Sequence, residues 1–210
     1  MKKLLFLLML FVSVGLSAQN AASILDQAAK AYDEANGVKA GFTMRIRSDK
    51  QQTTESFEGE IQMKGNKFTL KTPDVLTWFD GKTQWTYMLR TEEVNVSEPD
   101  GEELQLMNPA LLLKNYKKGF DTEYTGESTA ANGKSAYDVT LIPRKKGNVI
   151  RVQLQIEKQS HLPASLSVVS KDGMTGTIRI MDIRTGLNQP DSQFVFNTSD
   201  FPEAEVIDLR

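Results

Sequence analysis

The chain has 210 residues, 40% hydrophobic and 25% charged, the balance of a folded globular protein rather than a disordered one. With 25 basic against 27 acidic residues it lacks the cationic surplus that phosphate-backbone binding needs, so nucleic acid is not expected as a partner. With no cysteine it has no disulfide to staple the fold and no thiol to carry a lipid or bind a soft metal.

The start, MKKLLFLLMLFVSVGLSAQN, has a basic tip at Lys2 and Lys3, an apolar run from Leu4 to about Leu16, and small residues before Gln19. That is the three-part layout of a secretory signal, and the run is too short to favour a membrane anchor. Cleavage near Ala18 would leave residues 19–210 as a single soluble exported domain, in the periplasm or outside the cell. Loss of Lys2 and Lys3 takes the basic residues from 25 to 23 against 27 acidic, a formal charge of −4.

Residues 21–36 carry Ile24, Leu25, Ala28, Ala31, Tyr32 and Ala35 at helical spacing, and Asn36-Gly37 supplies the stop. From Gly41 the period becomes two. Phe42, Met44 and Ile46 alternate with Thr43, Arg45 and Arg47; Phe57, Gly59, Ile61 and Met63 alternate with Glu58, Glu60, Gln62 and Lys64. KFTLK continues the pattern with Phe68 and Leu70. In LTWFDGKTQWTY the Asp80-Gly81 pair signals a hairpin, and Trp85, Tyr87 and Leu89 share a face opposite Gln84, Thr86 and Arg90. The expectation is that Trp85 looks inward while Trp78 sits at a rim.

The period breaks at EELQLMNPALLLKNY, where Asn108 can cap a helix opened by Pro109 that buries part of Leu111, Leu112, Leu113 and Tyr116. Strands resume in YDVTL, VIRVQLQIE, ASLSVV, GTIRIMDI and QFVFN, separated by turn signals such as Asn132-Gly133, Gly147-Asn148 and Asp172-Gly173. The RKK run, 144–146, reads as a solvated loop. The sum is roughly nine to eleven antiparallel strands with one apolar and one polar face, plus two short helices. Two such helices offer little apolar surface to cover so large a sheet. Either the sheet closes on itself around a packed core, or its concave face retains a cavity.

Motifs for chemistry are sparse. His161 lies alone in the turn-like KQSHLPAS; no GxSxG elbow, Walker-type loop or dinucleotide glycine pattern occurs, so an enzyme is not expected and no cofactor or metal is implied.

The order of segments resembles the LolA-type outer-membrane lipoprotein carriers: an N-terminal helix, GFTMRIRS, ESFEGEIQMKGNKFTLKTP, FDGKTQWTY with Asp80, Gly81, Lys82, Thr83 and Trp85, a helix opening NPALLL, and a closing QFVFNTSDFPEAEVID. The resemblance implies a mainly β, α+β fold: an incomplete antiparallel β-barrel, one strongly curved sheet, with short helices as a lid over its concave apolar face. It implies a monomeric periplasmic carrier for the acyl chains of lipoproteins, with an inner-membrane ABC transporter as donor and an outer-membrane acceptor. The alternatives are a carrier of free lipid or another amphiphile, and a sensory or structural module of the same fold. The acyl-chain cavity is then expected to use Phe42, Met44, Ile46, Phe57, Ile61, Met63, Phe68, Leu70, Trp85 and Tyr87, with Leu111, Leu112 and Leu113 on the lid. Relatives commonly carry an Arg-Pro pair at the end of the second strand, its Arg latching the lid. Here the segment reads MKGNKF; Lys64 is the nearest counterpart, and its alternation puts it on the polar face.

Overall fold

The computed structural model describes residues 20–99, 101, 104 and 108–210; the leader read at 1–18 lies outside them. Helix α1 occupies residues 20–34 and ends where Asn36 and Gly37 take positive φ, as the sequence indicates. Twelve strands follow: β1 (Val38–Ser48), β2 (Thr53–Lys64), β3 (Lys67–Lys71), β4 (Val75–Phe79), β5 (Gln84–Met88), β6 (Glu93–Ser97), β7 (Phe120–Thr129), β8 (Ser135–Pro143), β9 (Val149–Glu157), β10 (Pro163–Ser170), β11 (Met174–Thr185) and β12 (Glu205–Asp208). Helix α2, Pro109–Gly119, falls between β6 and β7.

The strands form one sheet in the order β12-β6-β5-β4-β3-β2-β1-β11-β10-β9-β8-β7. Every neighbouring pair is antiparallel except β12 on β6, which is parallel. The two edges, β12 and β7, do not meet, so the barrel is incomplete.

The main core shows how far the sheet curves. Phe79 of β4, Phe68 of β3 and Met63 of β2 belong to the same buried cluster as Val139 and Leu141 of β8, through Leu25 and Tyr32 of α1 and Leu112, Leu113 and Tyr116 of α2. Seven strand-to-strand steps separate β4 from β8, about 34 Å on a flat sheet at the usual spacing. Only a sheet wrapped around the two helices brings both ends into one cluster.

Two features depart from the sequence reading. QFVFN forms no strand: Asp191–Phe194 is a 3-10 turn, and the amides of Gln193 and Val195 bond locally to Pro190 and Ser192. Pro190 has no amide to donate to a ladder, and the alternating Phe194 and Phe196 are buried by packing rather than by pairing. Strands β7 and β12 were not anticipated. β7, FDTEYTGEST, fills several positions with Thr, Ser and Gly, and β12 has four residues, so neither carries a clear apolar alternation.

After β11 the chain becomes a strap. It passes through Gly186 and Asn188, both at positive φ, and returns along the convex face to lay β12 beside β6. No helix among the described residues is long and apolar enough to cross a membrane.

Candidate functional site

Antiparallel register fixes which side chains share the concave face. Val38, Phe42, Met44 and Ile46 of β1 lie on the side of Met63, Ile61 and Phe57 of β2, because Val38 is opposite Met63 and Met44 opposite Phe57. Ile61 is opposite Leu70 and Met63 opposite Phe68, which extends the face to β3. Eight of the expected cavity residues therefore line one surface.

They do so at three depths. Met63 and Phe68 are sealed in the main cluster beneath the helices; Ile61 and Leu70 are partly buried against it. Phe42 is buried at the flank. Met44, Ile46 and Phe57 lie outside the cluster and are partly exposed, with Ile178 of β11 opposite Met44. The apolar face thus continues past its lid as a shelf.

Strand glycines shape that shelf. A Cβ on Gly59 would sit within contact distance of the Phe42 ring and 2.7 Å from the carbonyl oxygen of Lys71, so the ring lies across a bare stretch of β2. On the other side, a Cβ on Gly176 would meet Met44 Cε at 3.1 Å. Glycine here lets large side chains lie along the sheet instead of standing off it.

Trp85 and Tyr87 require a correction. Phe79 is opposite Gln84 and Trp78 opposite Trp85, so the inner face of β5 carries Gln84 and Thr86, whereas Trp85 and Tyr87 point to the convex side. There they join Trp78, Val94, Val96, Phe196 and Phe201 in a second cluster under the strap. Ring centroids lie 5.4 Å apart for Trp78 and Phe196, and 4.7 Å apart for Tyr87 and Phe201. Hydrophobicity misled because this half of the sheet is covered on both faces, one by helices and one by the strap.

The lid is built by local rules. Asn108, fully buried, accepts the amide of Ala110 through Oδ1 at 2.9 Å, with Pro109 at the first helical position. The inward stripe of α2 is Pro109, Leu112, Leu113 and Tyr116. Leu111 is a second correction: it is one residue out of step with the stripe, partly exposed and outside the cluster. Arg144 donates to the carbonyl of Lys117 and pairs with Asp121, so the RKK loop braces the C-terminal end of α2 rather than being merely solvated.

Polar ties between the helices are few. Tyr116 Oη lies 2.9 Å from Asp26 Oδ1 and 3.1 Å from the carbonyl oxygen of Ala22; Lys117 pairs with Asp26, and Lys114 with Asp33. Burial, then the hydrogen bond to Asp26 and its charge, push the Tyr116 phenol above its usual range, so it remains a donor. Lys64 does not take the latch position. Its Nζ donates to the carbonyl of Gln189 at 2.8 Å and to Asp191 at 2.9 Å, and Lys67 reaches the other Asp191 oxygen at 2.6 Å. Those bonds pin the strap, on the face opposite the lid.

A hollow of about 380 Å³ opens at the C-terminal end of α2, between Lys118, Phe120, Pro143 and Val149. The space beneath the helices is filled by Leu25, Leu112, Leu113, Phe68 and Phe79, none more than 1% exposed. The lid is closed. Sequence reasoning missed Ile178 and the α1 residues Leu25 and Tyr32 as walls of this site; the alternation in GTIRIMDI and the helical spacing of 21–36 carried that signal.

The family model for the outer membrane lipoprotein carrier protein LolA matches residues 12–172. An uncharacterized protein of Methanocaldococcus jannaschii is 25% identical over 198 residues, 90% of this chain; the chain spans 57% of the length of that relative. Among solved structures, an uncharacterized conserved protein from Thermus thermophilus is similar with a TM-score of 0.57 at 14% identity, over 90% of this chain and 99% of that one. A DUF1329 family protein from Desulfovibrio piger is similar with a TM-score of 0.50 at 12% identity, over 88% and 99%.

Proposed function

Because the chain belongs to the LolA family of outer membrane lipoprotein carriers, we propose that it is an exported carrier that shields the acyl chains of lipoproteins while they cross the periplasm. The observation that carries this reading is the concave face itself: one apolar surface, closed in part by two short helices and continuing beyond them as the partly exposed shelf of Met44, Ile46 and Phe57.

The energetics allow exchange between lid and cargo. Burying Leu112, Leu113 and Tyr116 contributes about 6 kcal/mol at the usual value per large apolar side chain. An acyl chain that buries about 15 methylenes gains on the order of 12 kcal/mol. Cargo can therefore displace α2 from the groove and still be favourably held. Contact of this kind is non-directional, so different chains fit and release stays reversible on transfer.

In this reading the acyl chains enter over Met44, Ile46 and Phe57 and run toward Phe42, Ile61, Met63, Phe68 and Leu70, with Leu112 and Leu113 lifted away. An inner-membrane ABC transporter loads the carrier and an outer-membrane acceptor unloads it. The leader at 1–18 directs export, the carrier acts as a monomer, and no catalytic step is involved.

Native mass spectrometry of the protein recovered gently from periplasm tests the cargo. A co-purified acylated protein supports the lipoprotein carrier. Free lipid alone would keep the groove and replace the cargo, and an empty chain that takes up no acyl probe would argue for a fold closed by its own lid.

A further inference from the structure

The convex face of β1, β2 and β11 carries a hollow of about 350 Å³ lined by Thr43, Arg45, Arg47, Ser56, Thr175, Thr177 and Arg179. Three arginines and four hydroxyl side chains line it; the Thr43 hydroxyl donates to Met181 Sδ at 3.9 Å and that of Thr177 is 2.9 Å from Ser167 Oγ, which leaves Ser56 and Thr175 as the hydroxyls with no other side-chain partner among the described residues. Register sets the arrangement: Arg45 is opposite Thr177 and Thr43 opposite Arg179, so Arg45 and Arg179 are diagonal neighbours on one face. Such diagonals lie within reach of long side chains, and like charges placed so close repel.

Two other cations of β1 are neutralised: Lys39 pairs with Glu60 at 2.8 Å and Arg47 with Asp49 at 2.8 Å. Arg45 and Arg179, in contrast, form no ion pair among the described residues. Glu58, opposite Thr43 on β2, pairs with neither. The chain has more acidic than basic residues, so this local surplus does not follow from composition. Guanidinium groups are weakly hydrated planar forks that match tetrahedral and carboxylate oxyanions, and hydroxyl groups supply further donors around them.

We infer that this arginine and hydroxyl hollow, centred on Arg45 and Arg179, binds a phosphate-type oxyanion, either as a small soluble ligand or as the headgroup of a lipid. It lies on the face opposite the apolar groove and does not depend on the carrier reading. The bound anion neutralises two adjacent cations that are otherwise unpaired.

The test uses the mature protein, the double variant R45Q/R179Q and the control K30Q, whose exposed Lys30 is on α1. Thermal midpoints are measured with chloride replaced by inorganic phosphate at constant ionic strength, and phosphate affinity by calorimetry. Phosphate raises the midpoint of the wild type and of K30Q, whereas R45Q/R179Q folds, gains stability at low salt, and binds phosphate at least about tenfold more weakly, as expected from the loss of charge-assisted hydrogen bonds. Sedimentation with phosphatidylglycerol and phosphatidylcholine vesicles separates the sources. Binding to the anionic vesicles that is lost in R45Q/R179Q assigns a headgroup; phosphate binding without vesicle binding assigns a soluble ligand. Equal phosphate and vesicle responses in wild type and R45Q/R179Q, or no phosphate effect beyond that of chloride with no vesicle binding, would overturn the inference.

Discussion

Tyr116 of α2 donates its phenolic hydrogen to Asp26 of α1 at 2.9 Å, across a contact that is mainly apolar. Lys117 reaches the other oxygen of the same carboxylate at 2.7 Å, so a single side chain on α1 holds two from α2. Replacing Tyr116 with Phe keeps the ring and removes the bond. The expected cost is about 1 kcal/mol, since Asp26 remains half in water. Loosening the lid should also speed entry of a fluorescent acyl probe into the groove, measured by stopped flow. An unchanged entry rate with a lowered unfolding midpoint would mean that the bond stabilises the fold without gating it.

The strap gives a different signal. Both tryptophans of the chain, Trp78 and Trp85, belong to the cluster beneath it. Asp191, held by Lys67 and then Lys64, has its carboxyl lowered from 3.8 to about 2. A carboxylate depressed in the folded state contributes stability above its ordinary value and loses it as pH falls through the folded one. Asp191→Asn should therefore shift tryptophan emission to the red at neutral pH by loosening residues 187–200. The difference from wild type should shrink as pH falls through about 2 and vanish below it. Loading of cargo on the opposite face should leave the emission unchanged.

Glu157 at the end of β9 is 3% exposed, and accepts from Asn132 at 2.6 Å, Ser160 at 2.8 Å and Lys134 at 3.0 Å. Burial alone would raise its carboxyl, but the hydrogen bonds from Ser160, Lys134 and Asn132 together with the charge of Lys134 outweigh it and hold the group below its usual range. Its stabilisation is thus present at neutral pH and lost as pH falls through the depressed value. Glu157→Gln should lower the thermal midpoint at pH 7 and converge with the wild type in acid. Parallel pH curves for the two proteins would contradict this.

Gly59→Ala forces a Cβ into the Phe42 ring and against the carbonyl of Lys71. The ring can swing outward, but the backbone carbonyl cannot move without disturbing the ladder between β2 and β3. A loss of about 1–3 kcal/mol is expected from overpacking, read from the urea midpoint. Gly119→Ala, with open space at its Cβ, is the matched control.

Much of the scaffold was legible because its rules are local. The period of two in β1 and β2, the Asn108-Pro109 cap and the Asn36-Gly37 stop each predict their element from a few residues. The shared face of Met44 and Phe57 follows from alternation once the strands are paired. What was not legible depended on distant chain. Trp85 and Tyr87 are as apolar as the inner wall, and only the return of Phe196 and Phe201 over the convex side decides that their face is covered there. QFVFN alternates like a strand, yet it begins after Pro190 and packs on a sheet instead of joining it. Leu111 belongs to a run of three leucines, and the helix phase, set by the cap, turns it out of the stripe.

The most direct test of the carrier reading is photocrosslinking in living cells, with a photoreactive residue placed at Phe57 on the shelf, at Met63 under the lid, or at Tyr87 on the convex face. Adducts with acylated proteins are expected from Phe57 and Met63 and none from Tyr87. Acylated adducts from Tyr87 alone, or no acylated adduct from either concave position, would contradict it.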